Sequence, residues 1–140
     1  MSAKIHANPQ EIETAFYAAL EASDLEAMMA VWSEDEEIVC VHPGGPRLIG
    51  YHAIRESWRH IFASGQRLNL RVILQSTVTT PFAVISHVLE LVGQQDEPQR
   101  FAPIAATNIY VRGLLGWRLV AHHASALPPG SLIDTPKVLH

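Results

Sequence analysis

The chain has 140 residues, with 14 acidic against 10 basic side chains and a formal net charge of −4. Its 48 % hydrophobic and 17 % charged residues describe a globular chain and exclude a disordered one; the length suits a single domain, residues 1–140, around one core. No lysine or arginine lies between Lys4 and Arg47, so no nucleic-acid partner bound through a basic face is expected.

Met1 to Gln10 has no apolar segment of the kind a secretory signal carries. Helical signals run from Asn8 to Trp32. Asn8 can cap, Pro9 suits the first helical position, and Glu11 completes a capping-box spacing. Ile12, Phe16, Ala19 and Leu20 follow at helical spacing. A second helix start is expected at Ser23, with Glu26 three residues on and Leu25, Met28, Met29 and Trp32 as its apolar stripe.

Ser33 to Glu37 is an acidic surface turn without the ligand spacing of a calcium loop. A short strand is expected at Glu37 to Val41. Its Cys40 is the only cysteine, so no intrachain disulfide can form, and it reads as a buried small hydrophobe. His42-Pro43-Gly44-Gly45-Pro46 is a rigid breaker. A third helix covers about Tyr51 to Ala63, with Tyr51, Ile54, Trp58, Ile61 and Phe62 on one face. His52, Glu56 and His60 stand on the other, where Arg55 and Arg59 flank them; the stripe reads as solvent-facing, and no metal site is expected.

From Arg67 the hydrophobic period changes to two. Leu68, Leu70, Val72, Leu74 and Val78 predict a long strand with one buried face. Phe82 to Val92 is apolar on both faces and should be covered on both; it holds His87 and Glu90 and is too short to cross a bilayer. Gly93 to Pro98 is a polar turn, and Gln99 to Arg112 and Trp117 to Ala126 are the last strands. A three-residue loop, Leu114 to Gly116, joins them, with Gly116 left-handed. Helices followed by antiparallel strands make the class α+β. The tail, about residues 126–140, is expected to be extended.

Eight histidines make each one a candidate. His122 and His123 are adjacent on a strand, so their side chains point to opposite faces. Pairing back from the loop sets Tyr110 opposite Val120 and Asn108 opposite His122, within hydrogen-bonding range. This collects Arg112, Tyr110, Asn108, Arg118 and His122 on a polar face. Trp117, Leu119, Ala121 and His123 fall on an apolar one. Periodicity alone points the apolar face to the helices; the alternative is that both faces are covered and the polar one lines a cavity. The four aspartates all fall in turns, helix starts or the tail. Glu90 is the one strand carboxylate and reads as exposed near a strand end. His87 points to the opposite face from Glu90 and reads as a satisfied core histidine.

Helices, a short strand, Pro-Gly-Gly-Pro-Arg-Leu-Ile-Gly, a helix, and strands ending Gly-Trp-Arg-Leu-Val-Ala-His-His-Ala-Ser resemble the nuclear transport factor 2 (NTF2)-like superfamily. The SnoaL-like proteins and the association domain of calcium/calmodulin-dependent protein kinase II are its most similar branch. The resemblance covers about Asn8 to Ser125. It implies a cone of curved antiparallel sheet wrapped on the helices, a pocket between them, and a homodimer formed through the sheet's outer face. It also implies that Asn108 and His122 face the cavity, with Ile54 and Phe62 near its mouth. The kinase domain's pocket arginines match Asn108 and Ala124 here, so its carboxylate site does not transfer. The cavity aspartate of the superfamily's ketosteroid isomerases and cyclases has no strand counterpart.

The reading is therefore a cytoplasmic pocket protein for a small, largely apolar ligand, with no cofactor and no membrane partner. Trp32, Ile54, Trp58 and Phe62 supply apolar walls; Asn108, Tyr110 and His122 supply polar anchors. One alternative is an isomerase, dehydratase or cyclase in which His122 or His87 is the base and Asn108 or Tyr110 holds an oxyanion. Another is an oligomeric assembly module.

Overall fold

The computed structural model describes residues 6–94 and 102–128. Within them, α1 (Pro9–Ala22) starts where Asn8 Oδ1 accepts the Glu11 backbone N–H at 2.9 Å. It ends at Ser23, whose φ of 53° is left-handed and whose hydroxyl donates to the Gln66 carbonyl at 2.6 Å. The second start lies one residue beyond the expected Ser23: Asp24 is the cap of α2 (Leu25–Val31), because Ser23 is occupied in closing α1. α3 (Tyr51–Ile61) starts at Gly50, whose φ of 98° suits glycine. A 3₁₀ turn (Phe62–Ser64) follows it, closed by Gly65 at φ 66°.

The sheet has strands β1 (Val39–Val41), β2 (Arg47–Ile49), β3 (Leu68–Thr79), β4 (Ala83–Gln94), β5 (Ala102–Gly113) and β6 (Gly116–Ala126). Their order is β2-β1-β6-β5-β4-β3, antiparallel except where β1 runs parallel to β6. β2 was not expected: three residues flanked by Pro46 and Gly50 give no readable period, and they form a strand because β1 offers them an edge. The sheet is open and curved, and among the described residues its helices lie on one face. That is the α+β class the sequence pattern predicts and the cone the family resemblance implies.

Register irregularities bend the sheet. One lies on β3 between Leu74 and Ser76. The other lies where β5 advances from Ile109 to Tyr110 while β6 steps from Ala121 to Leu119, leaving Val120 as the extra residue. It corrects the expected pairing: Tyr110 faces Leu119, Arg112 faces Trp117, and the loop is the two residues Leu114 and Leu115, with Gly116 left-handed at φ 86°. Asn108 still faces His122. The bulge thus brings Trp117 and Leu119 onto the same buried face as His122, which strict alternation forbids. β3 supplies another correction. Val72 and Leu74 are exposed on the inner face, because β3 is an edge strand, and the irregularity before Ser76 turns Val78 to the outer face, where it is exposed too. β4 is buried on its inner face by Val84 and Val88 and on its outer face at Leu89 and Leu91, as its composition predicts.

The core lies between the inner sheet face and the helices. It joins Ile12, Phe16 and Leu20 of α1, Met28 and Val31 of α2, and Ile54 and Trp58 of α3 to Val88, Tyr110 and Leu119. Cys40 is fully buried within it. His52 and His60 are exposed, while Glu56 lies along the same face paired with Arg59 at 3.1 Å. The tail beyond Pro128 and most of the polar turn at Gly93 to Pro98 lie outside the described residues.

Candidate functional site

Glu13 and Tyr17 are four residues apart on α1, so they share a face beside the apolar stripe of Ile12 and Phe16. That face lies over β4 and β5. On the sheet, Ser86 and Glu90 of β4, Asn108 and Tyr110 of β5, and His122 of β6 all project inward and are buried. Helix spacing and strand parity meet in one connected set of side chains. Tyr17 Oη donates to Glu90 Oε2 at 2.6 Å and accepts from Asn108 Nδ2 at 2.8 Å. Asn108 Oδ1 lies 2.6 Å from His122 Nδ1. Glu13 accepts from Tyr110 Oη at 2.5 Å, from Ser86 Oγ at 3.0 Å and from Asn108 Nδ2 at 3.5 Å.

Direction within this set follows from its carboxylates. Glu13 only accepts, and Tyr17 spends its proton on Glu90, so the NH2 of Asn108 must face both. Its Oδ1 then accepts, and His122 carries its proton on Nδ1. Nε2 is left as a bare acceptor, with no hydrogen bond to it among the described residues. The His122 ring packs against Phe16 at 5.0 Å and Trp58 at 6.2 Å between centroids. Trp58 also touches Phe62 and the edge of His42, and its Nε1 is buried without a hydrogen-bond partner among the described residues.

Burial dominates the electrostatics. It pushes the Glu90 carboxyl up to about 7, against the opposing hydrogen bond from Tyr17 and with a further upward push from Glu13. Burial pushes His122 down to about 3, with smaller contributions from His42 and His123, so the imidazole is neutral. Tyr17 and Tyr110 are both raised, first by burial and then by neighbouring carboxylates. No lysine or arginine contributes to any of these four.

Asn108, Tyr110 and His122 therefore meet beneath the helices, and Ile54, Trp58 and Phe62 pack on the α3 side of the same core. Trp32 is buried at the other end, bridged to Leu119. His87 is not brought to this group. It stands half-buried on the outer face, 3.4 Å from Ser76 Oγ, and the sheet separates it from His122. The reading of Glu90 as exposed is overturned: it is 3 % exposed, because Tyr17 reaches over it from α1. Glu13 and Tyr17 were missed outright. Their i, i+4 spacing was legible, but nothing in the chain says which side of α1 meets the sheet.

Cys40, His42 and Ser57 make a smaller cluster, with His42 Nε2 at 3.7 Å from the sulfur and 3.0 Å from Ser57 Oγ. Burial pushes the thiol up to about 12, which makes it a poor nucleophile. Among the described residues no group of three or more histidine, cysteine or acidic side chains is placed to hold a metal ion. Open depressions lie on other parts of the surface. One, of about 740 Å³, is on the outer sheet face beside Arg47, His87, Thr107 and His123, and His122 also borders it. Another, of about 700 Å³, lies between α2 and the β5–β6 hairpin beside Trp32, Tyr51 and Leu115. A further one, of about 690 Å³, lies beside Glu34, Ile49, Gly50 and His52. No described helix is long and apolar enough to cross a membrane.

The comparisons agree with this architecture. A domain from Thiobacillus denitrificans, provisionally named a calcium/calmodulin-dependent protein kinase type II association domain, is 39 % identical; the match covers 89 % of this chain and 98 % of that one, with a TM-score of 0.84. A protein from Streptomyces avermitilis, provisionally named a dehydratase of the NTF2-like family, is 26 % identical over 85 % of this chain and 93 % of its own, with a TM-score of 0.75. The F-box protein SKIP8 of Arabidopsis thaliana is 24 % identical over 91 % of this chain, which spans about half (52 %) of that relative's length. A ketosteroid isomerase-like protein from Erwinia carotovora atroseptica, 16 % identical, covering 86 % of this chain and 94 % of its own with a TM-score of 0.69, shares the fold. The SnoaL-like domain model matches residues 10–129, and with the cone of sheet and helices this shows that the chain belongs to the SnoaL-like family of the NTF2-like fold.

Proposed function

We propose that the chain binds a small, largely apolar molecule on the inner face of the cone, between α1, α3 and strands β4 to β6. One observation carries this: a buried hydrogen-bonded set of polar side chains sits where a purely apolar core would be more stable. Buried polar and ionisable groups cost free energy even when paired. A domain that retains Glu90, Asn108, Tyr110 and His122 together beneath aromatic rings is spending stability on something other than packing. Phe16, Trp58 and Phe62 form the apolar wall, and His122 and Trp58 each present an unused polar atom. The test is a thermal-shift screen with hydrophobic acids, ketones, lactones and alcohols, read together with the Trp58 indole N–H resonance. A hit should raise Tm and move that resonance. If no compound does either, the reading fails.

Proton-transfer catalysis is the second reading, favoured by the Glu90 carboxyl poised at about 7 beside the Tyr17 hydroxyl. Glu90 suits a general base better than His122, whose basicity burial suppresses. The 26 % identical relative named a dehydratase supports the same class. Turnover retained in full by Glu90→Gln would remove this reading. The proposed assembly is a homodimer through the outer sheet face, supported by exposed Ile49 and Val78 there.

A further inference from the structure

The outer sheet face carries a second site, independent of the inner one. Backbone register lines up one residue from every strand across that face. Arg47 of β2 pairs with Val41 of β1, Val41 with His123 of β6, His123 with Thr107 of β5, Thr107 with His87 of β4, and His87 with Ser76 of β3. Neighbours in such a row lie about 5 Å apart, so His123 and His87 flank Thr107. Arg47, His123, Thr107 and His87 all border the depression of about 740 Å³. Its form follows from side-chain size. Ala105 and Ser125 stand on one side of the row and Ala121 on the other, too short to fill the space beside the imidazoles.

Chemistry narrows the occupant. The chain has 14 acidic side chains, yet no described aspartate or glutamate borders this depression. It offers a guanidinium, two imidazoles and the hydroxyls of Thr107 and Ser125 around an apolar floor. Neither Arg47 nor His123 has a hydrogen-bond or ion-pair partner among the described residues. His87 meets Ser76 Oγ through Nδ1 at 3.4 Å, which leaves Nε2 to a ligand. A cationic ligand would find no carboxylate here. An oxyanion finds the Arg47 fork, whose geometry matches carboxylate and phosphate alike, and hydrogen-bond donors along the row. In the proposed homodimer each copy brings its own row to the interface, and an oxyanion there offsets the like charge.

We propose that the outer-face depression binds an oxyanion, the carboxylate or phosphate head of a small molecule whose apolar body rests on Ala105, Ile109 and Ala121. Arg47, His123, Thr107 and His87 hold the head.

The test titrates the full chain with inorganic phosphate and, separately, with benzoate, at constant pH and ionic strength with chloride as the balancing anion. Imidazole and indole resonances report the binding. The His87 and His123 signals should move together and saturate, while the exposed His52 and His60 and the Trp58 indole stay still. Tighter benzoate assigns a carboxylate ligand, and tighter phosphate a phosphate ester. Arg47→Gln should weaken binding about tenfold. Arg67→Gln, which removes an exposed arginine that does not border the depression, should leave it unchanged. Shifts that never saturate, that spread equally to His52 and His60, or that both arginine variants reduce alike overturn the proposal. So does benzoate that moves Trp58 but neither outer histidine, a result that supports the inner site instead. Silence from both probes removes the outer site and leaves the inner one to its own screen.

Discussion

Asn108 is wholly buried, and its amide is engaged on both sides: Oδ1 by His122, Nδ2 by Tyr17 and Glu13. Replacing it by Leu would leave three partners short of a bond, and the expected loss is about 3 kcal/mol in urea unfolding. Two neighbours carry opposite pH signatures. Glu90 titrates at about 7 in the fold and near 4.5 unfolded, so the folded state holds its proton longer. Its contribution is fully present below pH 4.5 and is lost as pH rises to 7, by roughly 3 kcal/mol. His122 titrates at about 3 in the fold and near 6.5 unfolded. The unfolded chain therefore takes up the proton first, and stability is lost as pH falls from 6.5 towards 3. Between pH 4.5 and 6.5 the two slopes oppose, so the wild-type curve should be flat there. Glu90→Gln should expose the acid-side slope, with stability rising steadily from pH 3 to 6.5. If that variant keeps the flat region, the assignment to Glu90 is wrong. Cys40, pushed up to about 12, should resist thiol reagents at pH 8 until the protein unfolds, which a thiol-release assay with and without denaturant reads directly.

Local rules describe the helices well and the last hairpin poorly. Asn8, Pro9 and Glu11 announce α1, and the Asn8 side chain caps it as its type and place require. Asn8→Ala should cost about 1 kcal/mol in thermal or urea unfolding. In the hairpin, alternation counted back from Leu114 places Asn108 opposite His122 correctly but puts Trp117 and Leu119 on the wrong face. Val120 is the cause, a single residue absorbed between two regular stretches of β6. Nothing in Arg118-Leu119-Val120-Ala121 marks it, since any of these residues suits a strand. The bulge is selected by packing: it lets Trp117, Leu119 and His122 all reach the core. Deleting Val120 should force either Trp117 and Leu119 or His122 and Ala124 outward. The expected result is a loss of several kcal/mol or no folded protein, read by circular dichroism. A variant as stable as wild type would show that the bulge is dispensable. β3 makes the converse point. Its period is clear, yet Val72 and Leu74 are exposed, because alternation defines a face and cannot say whether anything covers it.

Across the whole molecule, the described helices cover one face of the sheet, and the other face, although buried at Leu89 and Leu91, leaves Ile49 and Val78 exposed. Sedimentation equilibrium should give twice the monomer mass, and Ile49→Asp with Val78→Asp should return it to one. A monomeric wild type would remove the proposed homodimer, and a large ring would favour the assembly-module reading. The chain by itself determined the α+β class, the three helices, the four long strands, the Asn108–His122 pairing and the family resemblance, because each rests on spacing or type within a short window. It could not supply the Glu13–Tyr17–Glu90 part of the site, the burial of Glu90 or the separation of His87 from His122. Those depend on which side of α1 lies over β4 and on how far each strand runs beneath a helix. Residues 73 to 97 positions apart meet there, and only the packed core, settling rotation and depth together, decides such meetings.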